Sequence, residues 1–169
     1  EVFSRWDSAF AEKGWLSIFL ANHDQARMVS RFGNDSPAFR DLSSKMLATF
    51  IMTMRGTPYY YNGDELGMTN AGFTSISDYR DMPTLNEYQN QKNTGGDIEK
   101  FIETIKNNSR DNGRTPFQWN DSINAGFGAG TPWIKVNPNY STLNASAQEK
   151  DPNSVLNYFR QIVKLRKEN

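Results

Sequence analysis

Residues 22–25 place four polar side chains, Asn22, His23, Asp24 and Gln25, directly behind an apolar run. That run, Leu16 to Ala21, is apolar at five of six positions, the pattern of a strand covered on both faces. In α/β folds, ligands bind beyond the carboxyl ends of parallel strands, so an Asp and the chain's single His at that end are positioned for chemistry. One His cannot build a typical zinc site, which leaves proton exchange, hydrogen bonding to a substrate or a purely structural turn. A second apolar stretch, residues 57–61, also ends in polar groups, Asn62, Gly63, Asp64 and Glu65. Asp64 and Glu65 are adjacent acids, but neighbours at a strand end point in different directions, so they read as loop anchors.

The elements that carry these groups follow from spacing. Val2, Trp6 and Phe10 recur at i, i+4, i+8 and Gly14 supplies a stop, so residues 2–13 read as the end of a helix. Ser36 followed by Pro37 reads as an N-cap and first helical residue. The helix so started runs to residue 55, with Phe39, Leu42, Met46, Phe50 and Met54 on one face. Strand, helix, strand is one parallel βαβ unit. Residues 68–140 form an excursion rich in Gly, Asn, Thr and Pro, interrupted by helices at residues 84–93 and 97–108. A connection of that length in a compact protein is usually functional. An amphipathic helix at residues 153–167 carries Val155, Phe159, Ile162 and Val163.

Composition narrows the classes. The 169 residues include 19 basic and 19 acidic side chains and no cysteine. Balanced, unclustered charge argues against nucleic acid or an acidic lipid surface as partner. Absence of cysteine excludes disulfides and thiolate chemistry and fits a reducing compartment such as the cytoplasm. No apolar run is long enough to cross a bilayer. Aromatic side chains in polar loops suit the flat faces of sugar rings. Two strands cannot close a sheet, and an eight-stranded βα barrel needs about 250 residues. The pattern reads as a partial (β/α)8 TIM barrel, a piece of something larger.

Four collinear motifs sharpen this: FLANHDQ with RFG after it, GTPYYYNGDELGM, and SRDNGRTPFQW. Together they resemble the α-amylase family of retaining glycoside hydrolases, and within it the oligo-1,6-glucosidase and α-glucosidase branch. The resemblance implies that residues 16–21 and 57–61 are barrel strands seven and eight, with a long helical insertion after strand eight. It implies that the N-terminal part of the barrel and a C-terminal β-domain lie outside residues 1–169. Asp24 then matches the third catalytic carboxylate, which stabilises an oxocarbenium-like transition state. His23 matches a donor to glucosyl hydroxyls, and Arg110 an arginine of the same subsite. Asn22, Gln25, Asp111 and Arg114 are weaker matches, as ligands or as groups that orient their neighbours.

The same resemblance locates the nucleophilic Asp and the proton-donating Glu in motifs that this chain does not contain. Phe39-Arg40-Asp41 echoes the first motif without its glycine or spacing. Retaining hydrolysis needs two carboxyl groups about 5 Å apart, so the chain alone is expected to be catalytically silent. No cofactor is implied here; a structural Ca or Mg ion would bind upstream. The implied partner is an α-glucoside oligosaccharide, and unpaired strand edges would favour self-association of the isolated chain. Pro83 stands where branch members with α-1,6 activity carry a glutamate, so linkage preference is open. Two other readings remain at this stage: a non-catalytic relative serving interaction or transport, and a free-standing small α/β binding protein.

Overall fold

The computed structural model describes residues 2–168. Helix α1 (Val2–Phe10) ends in a turn whose Gly14 N–H donates to Phe10 O at 3.0 Å. Strand β1 (Ser17–Ile18) follows, then a short helix α2 (Met28–Phe32) that spacing did not reveal. Helix α3 (Arg40–Thr53) leads back to strand β2 (Thr57–Pro58), which pairs parallel to β1 with Ser17 opposite Thr57. Ladder bonds run from Thr57 N–H to Leu16 O and from Tyr59 N–H to Ile18 O, both 2.7 Å. The strands are shorter than the apolar runs because each has one neighbour, and the ladder ends where pairing ends. At the joint, Gly56 has φ +127°, and a Cβ there would stand 2.6 Å from Leu16 O.

Two expectations for α3 fail. Ser36 does not cap it: Ser36 O accepts the N–H groups of Phe39 and Arg40 in a preceding turn, so the helix proper starts at Arg40. Asn34 Oδ1 takes the Ser36 N–H at 3.0 Å, which commits Ser36 to that turn. Nor is the Phe39–Leu42–Met46–Phe50 stripe the packed face. Those side chains are 41–65% exposed, whereas Ser44, Leu47, Ala48, Ile51 and Met52 are buried. The helix is apolar on two sides, and periodicity cannot say which side a neighbour covers. Asp41 pairs with the adjacent Arg40 on the surface, far in role from any nucleophile.

The excursion carries helices α4 (Met82–Thr94) and α5 (Ile98–Asn108), the first starting two residues earlier than spacing suggests. Helix α6 (Ala145–Lys150), unforeseen, precedes α7 (Val155–Glu168). Helices α3 and α7 lie against each other, with Thr49 Oγ1 and Tyr158 Oη 2.6 Å apart. Arg166 closes the lower end by donating to the carbonyls of Met52, Met54 and Gly56.

Three apolar clusters hold the chain. Ile18, Ala21, Met28, Leu47 and Ile51 join the strands to α3. Leu66, Met68, Phe117, Leu143 and Leu156 join the turn after β2 to α7. Ala71, Phe73, Tyr79, Ile105 and Ile134 form a separate core within the excursion. Among the described residues, no helix is long and apolar enough to cross a membrane.

Candidate active site

Beyond Ala21 the chain leaves β1 in a tight turn. Asn22 Oδ1 accepts the Asp24 N–H at 2.9 Å, and Gln25 N–H donates to Asn22 O at 3.3 Å. This turn sets the Asp24 carboxylate toward the Arg110–Arg114 segment, a 3₁₀ turn whose start is capped by Ser109. Gly113 is required there: a Cβ at that position would meet Gln25 O at 2.5 Å. Backbone thus touches backbone, and two segments 86 residues apart are locked face to face.

Two guanidinium groups converge on one carboxylate oxygen. Arg110 Nη1 donates to Asp24 Oδ1 at 2.9 Å and Arg114 Nη2 to the same atom at 3.0 Å. Arg114 Nε also donates to His23 O at 2.9 Å. The second oxygen, Oδ2, lies 3.2 Å from His23 Nε2. The Arg110 hydrogen bond, helped by the charges of His23, Arg110 and Arg114 against some desolvation, holds the Asp24 carboxyl below its usual range. Asp24 therefore stays an anion, half exposed, with one oxygen pinned by the arginines and the other beside His23.

Of the residues singled out in the sequence, Asp24, His23, Arg110 and Arg114 come together, and Arg114 sits on Asp24 as closely as Arg110 does. Asn22 serves the turn. Gln25 does not join the cluster: its Oε1 accepts from Arg31 Nη1. A cleft of about 550 Å³ adjoins Arg114, with Tyr61, Trp119, Phe127 and Trp133 among its walls. Among the described residues, no three His, Asp or Glu side chains converge as a metal site would require.

Two residues escaped the sequence reading, Asp81 and Arg27, and Asp111, a weaker match there, turns out to be a buried anchor. Asp81 accepts from Arg110 Nε and is almost buried. Asp111, fully buried, receives the N–H groups of Arg80 (2.7 Å) and Asp81 (2.9 Å) on Oδ2. The D-M-P-T spacing, an Asp three residues before Thr with Pro between, is a helix-cap signal that could have revealed Asp81.

Arg27 is the second. It is 1% exposed, and its guanidinium donates to Asn112 O (3.1 Å), Asn62 O (2.6 Å) and Thr115 Oγ1 (3.3 Å). Its backbone N–H reaches Asn70 Oδ1 at 3.0 Å. One side chain thereby ties together the turns after β1 and β2 and the Arg110–Arg114 turn. An arginine flanked by Ala26, Met28 and Val29, all buried, is the sequence signal for such a tie.

Arg27 also faces the buried Asp64. Burial, reinforced by Glu65 and opposed by Arg27, pushes the Asp64 carboxyl from 3.8 up to about 7. Glu65, itself raised by burial, accepts the Gly63 N–H at 2.8 Å, so both acids anchor the loop. A carboxyl raised by folding binds its proton more tightly folded than unfolded. Its contribution to stability is full below pH 4, falls as pH rises toward 7 and is level beyond. The steepest loss is ~1.4 kcal/mol per pH unit. Urea midpoints between pH 4 and 8 should show the Asp64→Asn variant losing this slope relative to the unsubstituted protein; identical slopes would refute it.

The family model described as "Alpha amylase, catalytic domain" matches residues 1–169. An oligo-1,6-glucosidase of Parageobacillus thermoglucosidasius is 52% identical over 99% of this chain and 30% of its own length. A trehalose-6-phosphate hydrolase of Bacillus subtilis (strain 168) is 48% identical, with the same two shares. Among solved structures, an isomaltulose synthase from Klebsiella sp. LX3 superposes with a TM-score of 0.95 at 43% identity, covering 99% of this chain and 30% of that one. The chain thus spans about 30% of the length of these relatives. With the match running from end to end and several relatives near half identity, the chain belongs to the α-amylase family, within its catalytic domain.

Proposed function

We propose that residues 1–169 are barrel units seven and eight, with the excursion after strand eight, of a retaining α-glucosidase that hydrolyses short α-glucosides. The observation that supports this most is the double arginine grip on Asp24 Oδ1 at the end of a parallel strand, with Oδ2 beside His23. In this reading His23 and Asp24 Oδ2 hold hydroxyls of the glucosyl unit. As the glycosidic bond breaks, positive charge grows on the anomeric carbon, and the fixed carboxylate stabilises it more than it stabilises the neutral substrate. The two arginines keep that carboxylate ionised and oriented, so no reorganisation is needed at the moment of bond cleavage. The nucleophile and the acid/base belong to preceding barrel units, and any structural Ca or Mg ion belongs there too. The aromatic cleft beside Arg114 is a surface on which further sugar rings could stack.

The test is anomeric. The complete polypeptide should release glucose from isomaltose or maltose, and ¹H NMR of the first product should show the α anomer. Failure to cleave either sugar, or first release of β-glucose, would overturn the reading. Purified residues 1–169 should give no turnover and should self-associate in size-exclusion chromatography through the exposed α3 stripe and strand edges. Enzyme-like rates from the isolated chain would show that the nucleophile is not elsewhere.

A further inference from the structure

We infer that Asp81 is a positioning residue: it caps α4 with one oxygen and clamps Arg110 with the other, so that the excursion sets where the guanidinium meets Asp24. This rests on the role of Asp24 proposed above and extends it to a side chain that touches no substrate.

Asp81 Oδ2 accepts the Thr84 N–H at 3.1 Å and the Thr84 hydroxyl at 2.7 Å. Asp81 Oδ1 accepts from Arg110 Nε, and Arg114 Nη1 lies 3.8 Å from the same atom. Arg110 meets Asp24 through a different nitrogen, Nη1. The guanidinium is therefore held at two points, inward by a carboxylate 5% exposed and outward by one 50% exposed. A two-point hold removes the rotational freedom that a long side chain otherwise keeps. The clamp itself is fixed, because the backbone N–H groups of Arg80 and Asp81 both end on the buried Asp111. Desolvation raises the Asp81 carboxyl, but the bonds from Thr84 and Arg110 outweigh it and keep it ionised. Pro83, in the first turn of α4, offers Arg110 no competing side-chain partner.

The bland account is that Asp81 only caps a helix, and the two are separable. Asparagine caps as well as aspartate does but carries no charge. In the complete polypeptide, Asp81→Asn should leave the melting temperature within a few degrees and lower kcat/KM for short α-glucosides by roughly 10- to 100-fold. Thr84→Ala, which removes the hydroxyl and keeps the capped backbone N–H, should lower the melting temperature and cost kcat/KM less than Asp81→Asn does. Arg110→Lys removes both the Nε donor to Asp81 and the Nη1 donor to Asp24 and should lose at least as much as Asp81→Asn. In an Arg110→Ala background, Asp81→Asn should cost nothing further. An equal loss with and without Arg110, or a loss under twofold in the unsubstituted background, would overturn the inference. If Asp24→Ala cripples cleavage while Asp81→Asn does not, the clamp fails and the site stands. If Asp24→Ala is harmless, both fall.

Discussion

Asp24→Ala in the complete polypeptide should lower kcat/KM for short α-glucosides by roughly a hundred- to a thousandfold, the usual cost of deleting one preorganised electrostatic partner of a transition state. The loss should fall on kcat more than on KM, because the charge that Asp24 opposes exists only as the bond breaks. Folding should survive. The side chain is half exposed, and Arg110 and Arg114 keep Asp81 and Asp111 as neighbours once it is gone. A circular-dichroism melt superimposable on that of the unsubstituted protein would separate lost chemistry from lost structure. Undiminished cleavage would dismantle the reading of the site.

Arg27→Met should do the opposite: little about it is chemical, and nearly all of it is structural. The substitution keeps apolar volume but removes the donors to the carbonyls of Asn62 and Asn112 and to the Thr115 hydroxyl, and it takes away the charge that faces the buried Asp64. Leaving a buried hydrogen-bonding group without its partner typically costs about 1–3 kcal/mol, a large share of an ordinary domain's stability. A urea midpoint well below that of the unsubstituted protein, or insoluble expression, is the expected result. Arg27→Lys should recover only part of the loss, since a point charge cannot reach three divergent acceptors. An unchanged midpoint for Arg27→Met would mean that the three turns are held some other way.

These two residues also mark what pattern and spacing can tell. Asp24 was legible because a buried strand that ends in polar side chains is a local event, written in consecutive letters. Arg110 was legible through a motif. Arg114, ranked below it, shares the same oxygen, because one 3₁₀ turn brings residues four apart onto one side. Asp81 was legible only as a helix cap, not as a partner of Arg110: the two lie 29 residues apart, and nothing in a linear pattern says which turn returns to which. The α3 stripe misled for a related reason. A helix apolar on two faces advertises two neighbours, and only the face against α7 and the strands is covered here. Arg27 was hidden by its type, since buried arginines are rare enough to be read as surface.

The separate interior of the excursion has one more consequence. Phe73, Tyr79, Ile105 and Ile134 pack among themselves, not against the strands. Substitutions in the outer loops can therefore accumulate without straining the scaffold under Asp24. Swapping the whole segment between relatives, with Asp81, Arg110, Asp111 and Arg114 carried along together, should leave the strands and α3 folded.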